Sequence, residues 1–187
     1  MEEVAKVASE AQADEVAATA APEKGSFVSA TEWTDGEPDC LVICCSDHRF
    51  ERQTRDLVHH LGFSAPHVIQ LPSGPALTLP LVSSFGFLSK AADKIVEMTA
   101  EMKHAKTVIC VAHSGCGAYK SIGENRLLSF AVRRITGHSI RDLQREHLVK
   151  AARRIKSVTK AATVRAFFAD VVGADGDKKT VKFTEIP

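Results

Sequence analysis

Two short segments of the chain concentrate residue types that bind metals and move protons. They are residues 45–49 (CSDHR) and residues 113–117 (HSGCG). Two thiolates and one imidazole are ligands that zinc prefers, and three protein ligands leave the fourth tetrahedral position open, as in catalytic zinc sites. The sequence therefore predicts a Zn²⁺ site made by Cys45, His113 and Cys116. The other interpretation is that these three are buried structural residues.

Asp47 and Arg49 follow the first predicted ligand at alternate positions. A carboxylate two residues from a ligand can accept a proton from water at the metal and orient it, and an arginine can hold that carboxylate in a bidentate, charge-assisted pair. We therefore predict that Asp47 and Arg49 are catalytic. If Arg49 released Asp47, the carboxylate could become a fourth ligand. The structural alternative is a salt bridge that caps the next helix.

The two segments each follow a short, continuously apolar run, at residues 40–45 and 107–112. Such runs are typical of strands buried on both faces of a parallel sheet. Ligands of open parallel sheets bind outside the carboxyl ends of the strands. The two segments are therefore expected to meet, although 68 positions separate Cys45 from His113.

Helical and strand patterns alternate along the rest of the chain. We expect helices at 50–61, 84–104, 124–135 and 139–160, the last with a capping box at Ser139, strands at 67–71, 163–172 and 180–184, and turns at 72–75 and 175–176. This order predicts an α/β fold, a mostly parallel central sheet flanked by helices with an antiparallel C-terminal edge strand. Residues 1–26 are a low-complexity arm or tail, and residues 27–187 are expected to form a single zinc domain.

The composition narrows the classes of partner and compartment. The chain has 187 residues, 44% of them hydrophobic, and a formal net charge of +1. This balance gives no reason to expect nucleic acid or a membrane as partner. The N-terminus lacks the pattern of a secretory signal. The five cysteines are odd in number and lie mostly in apolar runs. Reduced thiols in the cytoplasm or an organelle interior are therefore expected, with Cys40, Cys44 and Cys110 in the core.

Together the two segments resemble the signature of the β-carbonic anhydrases, C-x-D-x-R followed by H-x-x-C-G. The resemblance implies reversible hydration of CO2 to bicarbonate by a zinc-bound hydroxide, the activity of a carbonate dehydratase (a lyase). It implies zinc on Cys45, His113 and Cys116, and a dyad of Asp47 and Arg49. It also implies a homodimer or a higher homo-oligomer, with an N-terminal helical arm over the partner subunit.

The resemblance covers roughly residues 38–185, and the chain departs from the family pattern in three places. The Gln that commonly lines the substrate pocket upstream of the first Cys has no counterpart, since the only upstream Gln is Gln12 in the N-terminal segment. Residues 70–75 (QLPSGP) stand where family members usually carry an Arg-Asn-Ala-Gly-like stretch, and His48 stands where serine is usual. His48 could pass protons at the mouth of the site, and Gln70 and Ser73 could line the pocket. These differences leave two alternatives: a zinc hydrolase of a CO2 isostere (carbonyl sulfide or carbon disulfide), and a non-catalytic zinc-binding dimer.

Overall fold

A computed structural model describes residues 27, 29, 35–80, 86–124, 139–161, 163–173 and 178–187 of the chain. Residues Gly36–Pro187 form one compact unit, and Met1–Asp35 are assigned to another. The segment 1–26, most of the helix expected at 124–135 and the turn at 175–176 lie outside the described residues. Their predicted structures, and the predicted domain boundary, stay predictions.

A five-stranded sheet forms the centre of the compact unit, with strand order β2-β1-β3-β4-β5. The strands are β1 (Cys40–Cys45), β2 (Pro66–Leu71), β3 (Thr107–His113), β4 (Thr163–Val172) and β5 (Thr180–Ile186). The first four run parallel, and β5 pairs with β4 in the antiparallel direction. The predicted fold class is confirmed. Because β1 and β3 are neighbours, their carboxyl ends lie side by side.

The described helices are α1 (Glu51–His60), α2 (Gly86–Met102), α3 (Gly117–Glu124) and α4 (Ile140–Thr159), with short 3₁₀ helices at His48–Phe50 and Gly74–Thr78. The capping box expected at the start of α4 is present. The Ser139 hydroxyl accepts from the backbone N–H of Asp142, whose carboxylate accepts in return from the backbone N–H of Ser139. The sequence predicts only a turn at residues 72–75. In the structure a 3₁₀ helix begins inside this turn, at Gly74, and Pro75 supplies a φ angle suited to its first residues.

Both faces of the sheet are covered, which explains why the central strands read as unbroken apolar runs. On one face, α2 and α4 pack on the strands through a cluster that includes Leu41, Ile43, Val96, Leu148 and Phe168. On the other, α1 contributes Leu57 and Val58 to a cluster with Val42, Cys44, Ile109 and Phe167. None of the described helices is long and apolar enough to cross a bilayer.

Three cysteines belong to this core, as the sequence predicts. Cys40, Cys44 and Cys110 are buried and free. Burial raises the pKa of each of these thiols to about 12. They therefore remain protonated near neutral pH and are poor candidates for metal ligation.

Candidate metal centre

The predicted ligands come together at the carboxyl edge of the sheet. Cys45 is the last residue of β1, His113 is the last residue of β3, and Cys116 follows three residues later. Their ligand atoms all lie within 4.8 Å of one another. The Sγ atoms of Cys45 and Cys116 are 3.8 Å apart. These three side chains could hold one metal ion.

The imidazole of His113 is oriented for ligation through Nε2. Its Nδ1 lies 2.9 Å from the backbone carbonyl oxygen of Ser114, which can only accept, so Nδ1 carries the proton. Nε2 keeps a lone pair and has no hydrogen-bond partner among the described residues, although the residue is only 3% exposed. Phe50 stacks on the ring with centroids 4.1 Å apart and fixes its plane.

A buried nitrogen without a partner costs free energy, and a metal ion at this point would satisfy it. The donor set of two sulfurs and one imidazole nitrogen suits zinc better than it suits calcium or magnesium, which prefer oxygen. The residues present therefore fit a zinc ion.

The two candidate thiol ligands are electrostatically coupled. Their hydrogen bond lowers the pKa of Cys45 and raises the pKa of Cys116, because one sulfur donates while the other accepts as a thiolate. In the absence of metal the pair therefore shares one proton. A divalent metal ion would replace that proton, so metal binding should release it.

Asp47 and Arg49 form the predicted pair beside the ligands. Arg49 donates from Nε to Oδ1 at 2.9 Å, from Nη2 to Oδ2 at 2.5 Å, and from its backbone N–H to Oδ1 at 3.1 Å. The Arg49 side-chain hydrogen bond is the main reason that the pKa of Asp47 falls to about 2. Oδ2 lies 3.9 Å from Nε2 of His113. The carboxylate is thus ionised, held by Arg49, and close to the open lone pair.

The structural alternative for Asp47 also holds in part. Asp47 is the N-cap residue of the 3₁₀ helix His48–Phe50, through the bond from the Arg49 backbone N–H. That helix places Phe50 against His113. The same carboxylate therefore caps a helix and faces the candidate metal centre.

The segment after β2 closes over the centre because Gly74 has no side chain. A Cβ at this position would lie 3.1 Å from the backbone nitrogen of Cys45 and 3.1 Å from the carbonyl oxygen of Val111. The φ of Gly74 is +62°, in the left-handed region that favours glycine. Glycine therefore lets this segment lie directly on the ends of β1 and β3.

Two cavities that share lining residues adjoin the candidate ligands. The inner chamber is lined by Ser73, Ala76, Ala112, His113, Cys116, Tyr119 and Gln144. The outer cleft, of about 460 Å³, is lined by Asp47, Arg49, Gly115, Cys116, Gly117, Tyr119, Lys120, Ile140 and Gln144. Cys116, Tyr119 and Gln144 border both cavities, so a small molecule in the outer cleft could contact the candidate ligand Cys116.

The structure separates the weaker candidates from one another. Ser73 is buried and lines the inner chamber. Gln70 instead pairs in register with Cys44 and borders a cavity beside α1, which Cys44 also borders, so it does not line the candidate site. His48 is exposed and borders neither the inner chamber nor the outer cleft.

Two lining residues, Tyr119 and Gln144, had not been singled out from the sequence. Tyr119 is 4% exposed, and its hydroxyl lies 2.8 Å from Nδ1 of His147. Gln144 is also 4% exposed, on the face of α4 that carries Leu148. The spacing of four residues between Gln144 and Leu148 was the available signal, because it places a polar residue on a buried helix face.

Comparisons with known proteins bear on the fold. No protein-family model matches the chain. A protein of Rickettsia bellii (strain RML369-C), described as uncharacterized, is 28% identical over 144 residues, which are 76% of this chain and 81% of that protein. The β-carbonic anhydrase CafA of the fungal pathogen Aspergillus fumigatus superposes with a TM-score of 0.50 at 14% identity, over 80% of this chain and 76% of its own. The apo form of a carbon disulfide hydrolase superposes with a TM-score of 0.43 at 16% identity, over 72% of this chain and 75% of its own.

The fold and the site define an α/β protein with a candidate metal centre at the carboxyl edge of a mostly parallel sheet. Its fold is that of the β-carbonic anhydrases, and the resemblance expected from the two sequence segments is confirmed at this level.

Proposed function

We propose that this chain is a zinc enzyme, a lyase of the carbonic anhydrase type, that catalyses the reversible conversion of CO2 and water into bicarbonate and a proton. One observation carries the proposal. The sulfur atoms of Cys45 and Cys116 and Nε2 of His113 converge beside the Asp47–Arg49 pair, and an open cleft is lined by Cys116 together with that pair. The fold is consistent with this activity.

In this proposal Cys45, His113 and Cys116 hold Zn²⁺. When bound, zinc would supply the Lewis acidity that makes a water molecule reactive near neutral pH. The carboxylate of Asp47, ionised at that pH because its pKa is about 2, accepts a hydrogen bond from the reacting water and orients it. Arg49 fixes the direction of the carboxylate through two side-chain hydrogen bonds.

The hold of Arg49 on Asp47 also bears on the non-catalytic alternative. A closed site would need Asp47 as a fourth ligand, and its Oδ2 is only 3.9 Å from Nε2 of His113. Both carboxylate oxygens are instead engaged by Arg49. This arrangement favours an open site and thus an enzyme.

Stopped-flow measurement of CO2 hydration by the zinc-loaded protein tests the proposal. We expect Asp47→Asn to retain its zinc and to lose about 100-fold or more in kcat, the usual contribution of a positioned proton acceptor. Asp56→Asn, at an exposed position of α1, is the matched control and should leave the rate unchanged. A wild-type rate no better than buffer, or full activity of Asp47→Asn, would contradict the proposal.

The segment over the centre supports a second candidate activity, hydrolysis of carbonyl sulfide or carbon disulfide. Ser73 and Ala76 border the inner chamber, in the region where the sequence differs from the usual family pattern. The inner chamber itself measures only about 10 Å³, so such a substrate would be held in the outer cleft. Sulfide release from carbonyl sulfide without CO2 hydration would favour this activity over the first.

We further propose that the protein works as a homodimer or higher homo-oligomer, without nucleic acid or membrane partners, in the cytoplasm or an organelle interior. The five cysteines are all free, as expected in a reducing compartment. The formal net charge of +1 gives no reason to expect a polyanionic partner. Sedimentation velocity of the full-length chain would test the oligomeric state.

A further inference from the structure

A cleft of about 400 Å³ lies between the C-terminal half of α4 and the last two strands of the sheet. Its floor is apolar and is formed by Val149, Ala152, Val164, Ala166 and Ile186. Ala152, Val164 and Ile186 are only partly buried against the core on this face of the sheet. A ligand that covered this floor with an apolar group would therefore gain free energy. Among the described residues that line the cleft, none borders the inner chamber or the outer cleft of the candidate metal centre.

The two exposed cations at the rim of this cleft differ from the other basic residues of α4. The helix carries six arginine and lysine residues. Four of them are held by carboxylates: Arg141 and Arg145 by Asp170, Lys150 by Glu146, and Arg154 by Asp93. Arg153 and Lys156 line the cleft and make no ion pair with the part of the chain that the structure describes. The helix dipole favours Lys156 in the last turn, but it does not account for Arg153.

The charge balance of the cleft is positive. Arg165 and Glu185 also border it, but they pair with each other through two hydrogen bonds. A carboxylate at the end of Pro187, the remaining lining residue, would cancel one of the two free cations and still leave a positive balance. The cleft therefore suits a ligand with an apolar body and a single negative charge.

We propose that this cleft binds a small amphipathic carboxylate, with its apolar body on the floor and its carboxylate between Arg153 and Lys156. Residues three apart on a helix are neighbours on its surface, so one carboxylate can contact both cations. From Val149 to Lys156 the helix rises about 10 Å at 1.5 Å per residue, which suits the chain of a medium-length fatty acid. This site is separate from the proposed CO2 hydration, and neither depends on the other.

Isothermal titration calorimetry of the full-length chain with sodium octanoate tests the proposal. 1-Octanol keeps the alkyl chain and lacks the charge, whereas acetate keeps the charge and lacks the chain. Each should bind at least about 10-fold more weakly than octanoate, because each loses one of the two interactions. The double variant Arg153→Gln with Lys156→Gln should weaken octanoate binding about 10-fold or more, as for loss of hydrogen bonds to a charged group.

The double variant Arg52→Gln with Lys90→Gln is the matched control. It also removes two exposed positive charges, at positions that do not border this cleft. Its affinity for octanoate should equal that of the wild type. Both double variants should keep the thermal midpoint of the wild type, since all four side chains are exposed.

Amide chemical-shift mapping by NMR locates the ligand. Octanoate should perturb residues 149–156 and 185–186 more than residues of α1 or β2. No binding of octanoate by the wild type, a perturbation centred elsewhere, or equal weakening by the two double variants would overturn the site. Tighter binding of octyl phosphate than of octanoate would overturn the carboxylate assignment, because a phosphate monoester carries more negative charge.

Discussion

Replacing Gly74 by alanine would place a methyl group between the segment after β2 and the two strands that carry the candidate ligands. The new Cβ would lie 3.1 Å from the Cys45 nitrogen, 3.1 Å from the Val111 carbonyl oxygen and 3.3 Å from the carbonyl carbon of Cys44. All three are backbone atoms of buried strands, so they cannot move aside as a flexible side chain could. The residue would also have to hold a φ of +62°.

The two effects set the expected magnitude. A left-handed backbone costs roughly 1–2 kcal/mol for a residue with a Cβ. Overpacking of a well-packed site costs typically about 1–3 kcal/mol. We therefore expect Gly74→Ala to lower the free energy of unfolding by about 2–5 kcal/mol. With a urea dependence of about 2 kcal/mol per molar, the midpoint should fall by roughly 1–2.5 M.

Two other glycines separate strain from crowding in the same urea denaturation assay. Gly62 has a φ of +90°, and a Cβ added there would meet no atom within 4 Å, so Gly62→Ala should show only the backbone cost, about 1–2 kcal/mol. Gly36 has neither constraint, so Gly36→Ala should be nearly neutral. If Gly74→Ala were no more destabilising than Gly62→Ala, the close approach of this segment to β1 and β3 would be refuted. Weaker metal binding by Gly74→Ala should accompany the loss of stability, because the added methyl presses on Cys45.

Two further substitutions test the ligands and the start of the sheet. Cys116→Ala should weaken zinc binding by at least about 100-fold, because it removes a ligand. Cys110→Ala, the control, should bind zinc as the wild type does. Metal titration against a chromogenic chelator measures both affinities, and equal affinities would show that Cys116 is not a ligand. The carboxylate of Asp39 accepts hydrogen bonds from the backbone N–H groups of Ser64 and Ala65. Burial by itself would raise the pKa of Asp39, but these hydrogen bonds together lower that pKa below its ordinary value of 3.8. Its stabilisation is therefore fully present well above the unfolded-state pKa and is lost as the pH falls through the folded-state pKa. Asp39→Asn should cost about 1 kcal/mol at pH 7 and progressively less below pH 4 in urea denaturation; a cost independent of pH would contradict the role of the charge.

The sequence carries enough information to predict the sheet and the grouping of the ligands. The apolar runs that end at Cys45 and before His113 indicate buried strands, and adjacency of their carboxyl ends follows from parallel pairing. The Asp47–Arg49 pair is equally local, because both residues belong to one short 3₁₀ turn. Interactions within a strand end or a single turn are thus accessible to reasoning from residue type and spacing.

The walls of the site could not be predicted in the same way. Tyr119 and Gln144 line the cavities at the centre because α3 begins directly after Cys116 and α4 packs on β3 and β4, and no local pattern gives that arrangement. The position of Gly74 over Cys45 likewise depends on how the segment after β2 folds back. Ser73 faces the site and Gln70 does not, because Gln70 pairs with Cys44 in the sheet. Only the three-dimensional register of the strands gives that pairing.

The acceptor that orients His113 has a consequence for how the site responds to mutation. The proton on Nδ1 is held by a main-chain oxygen at position 114, and every amino acid supplies such an oxygen. In proteins where a side-chain carboxylate does this work, one nucleotide change can remove it. Here, genetic change at position 114 leaves the tautomer of the imidazole intact as long as the backbone keeps its path. Substitutions that act on this ligand through a side chain therefore fall on the histidine itself and on neighbours such as the Phe50 ring stacked on it.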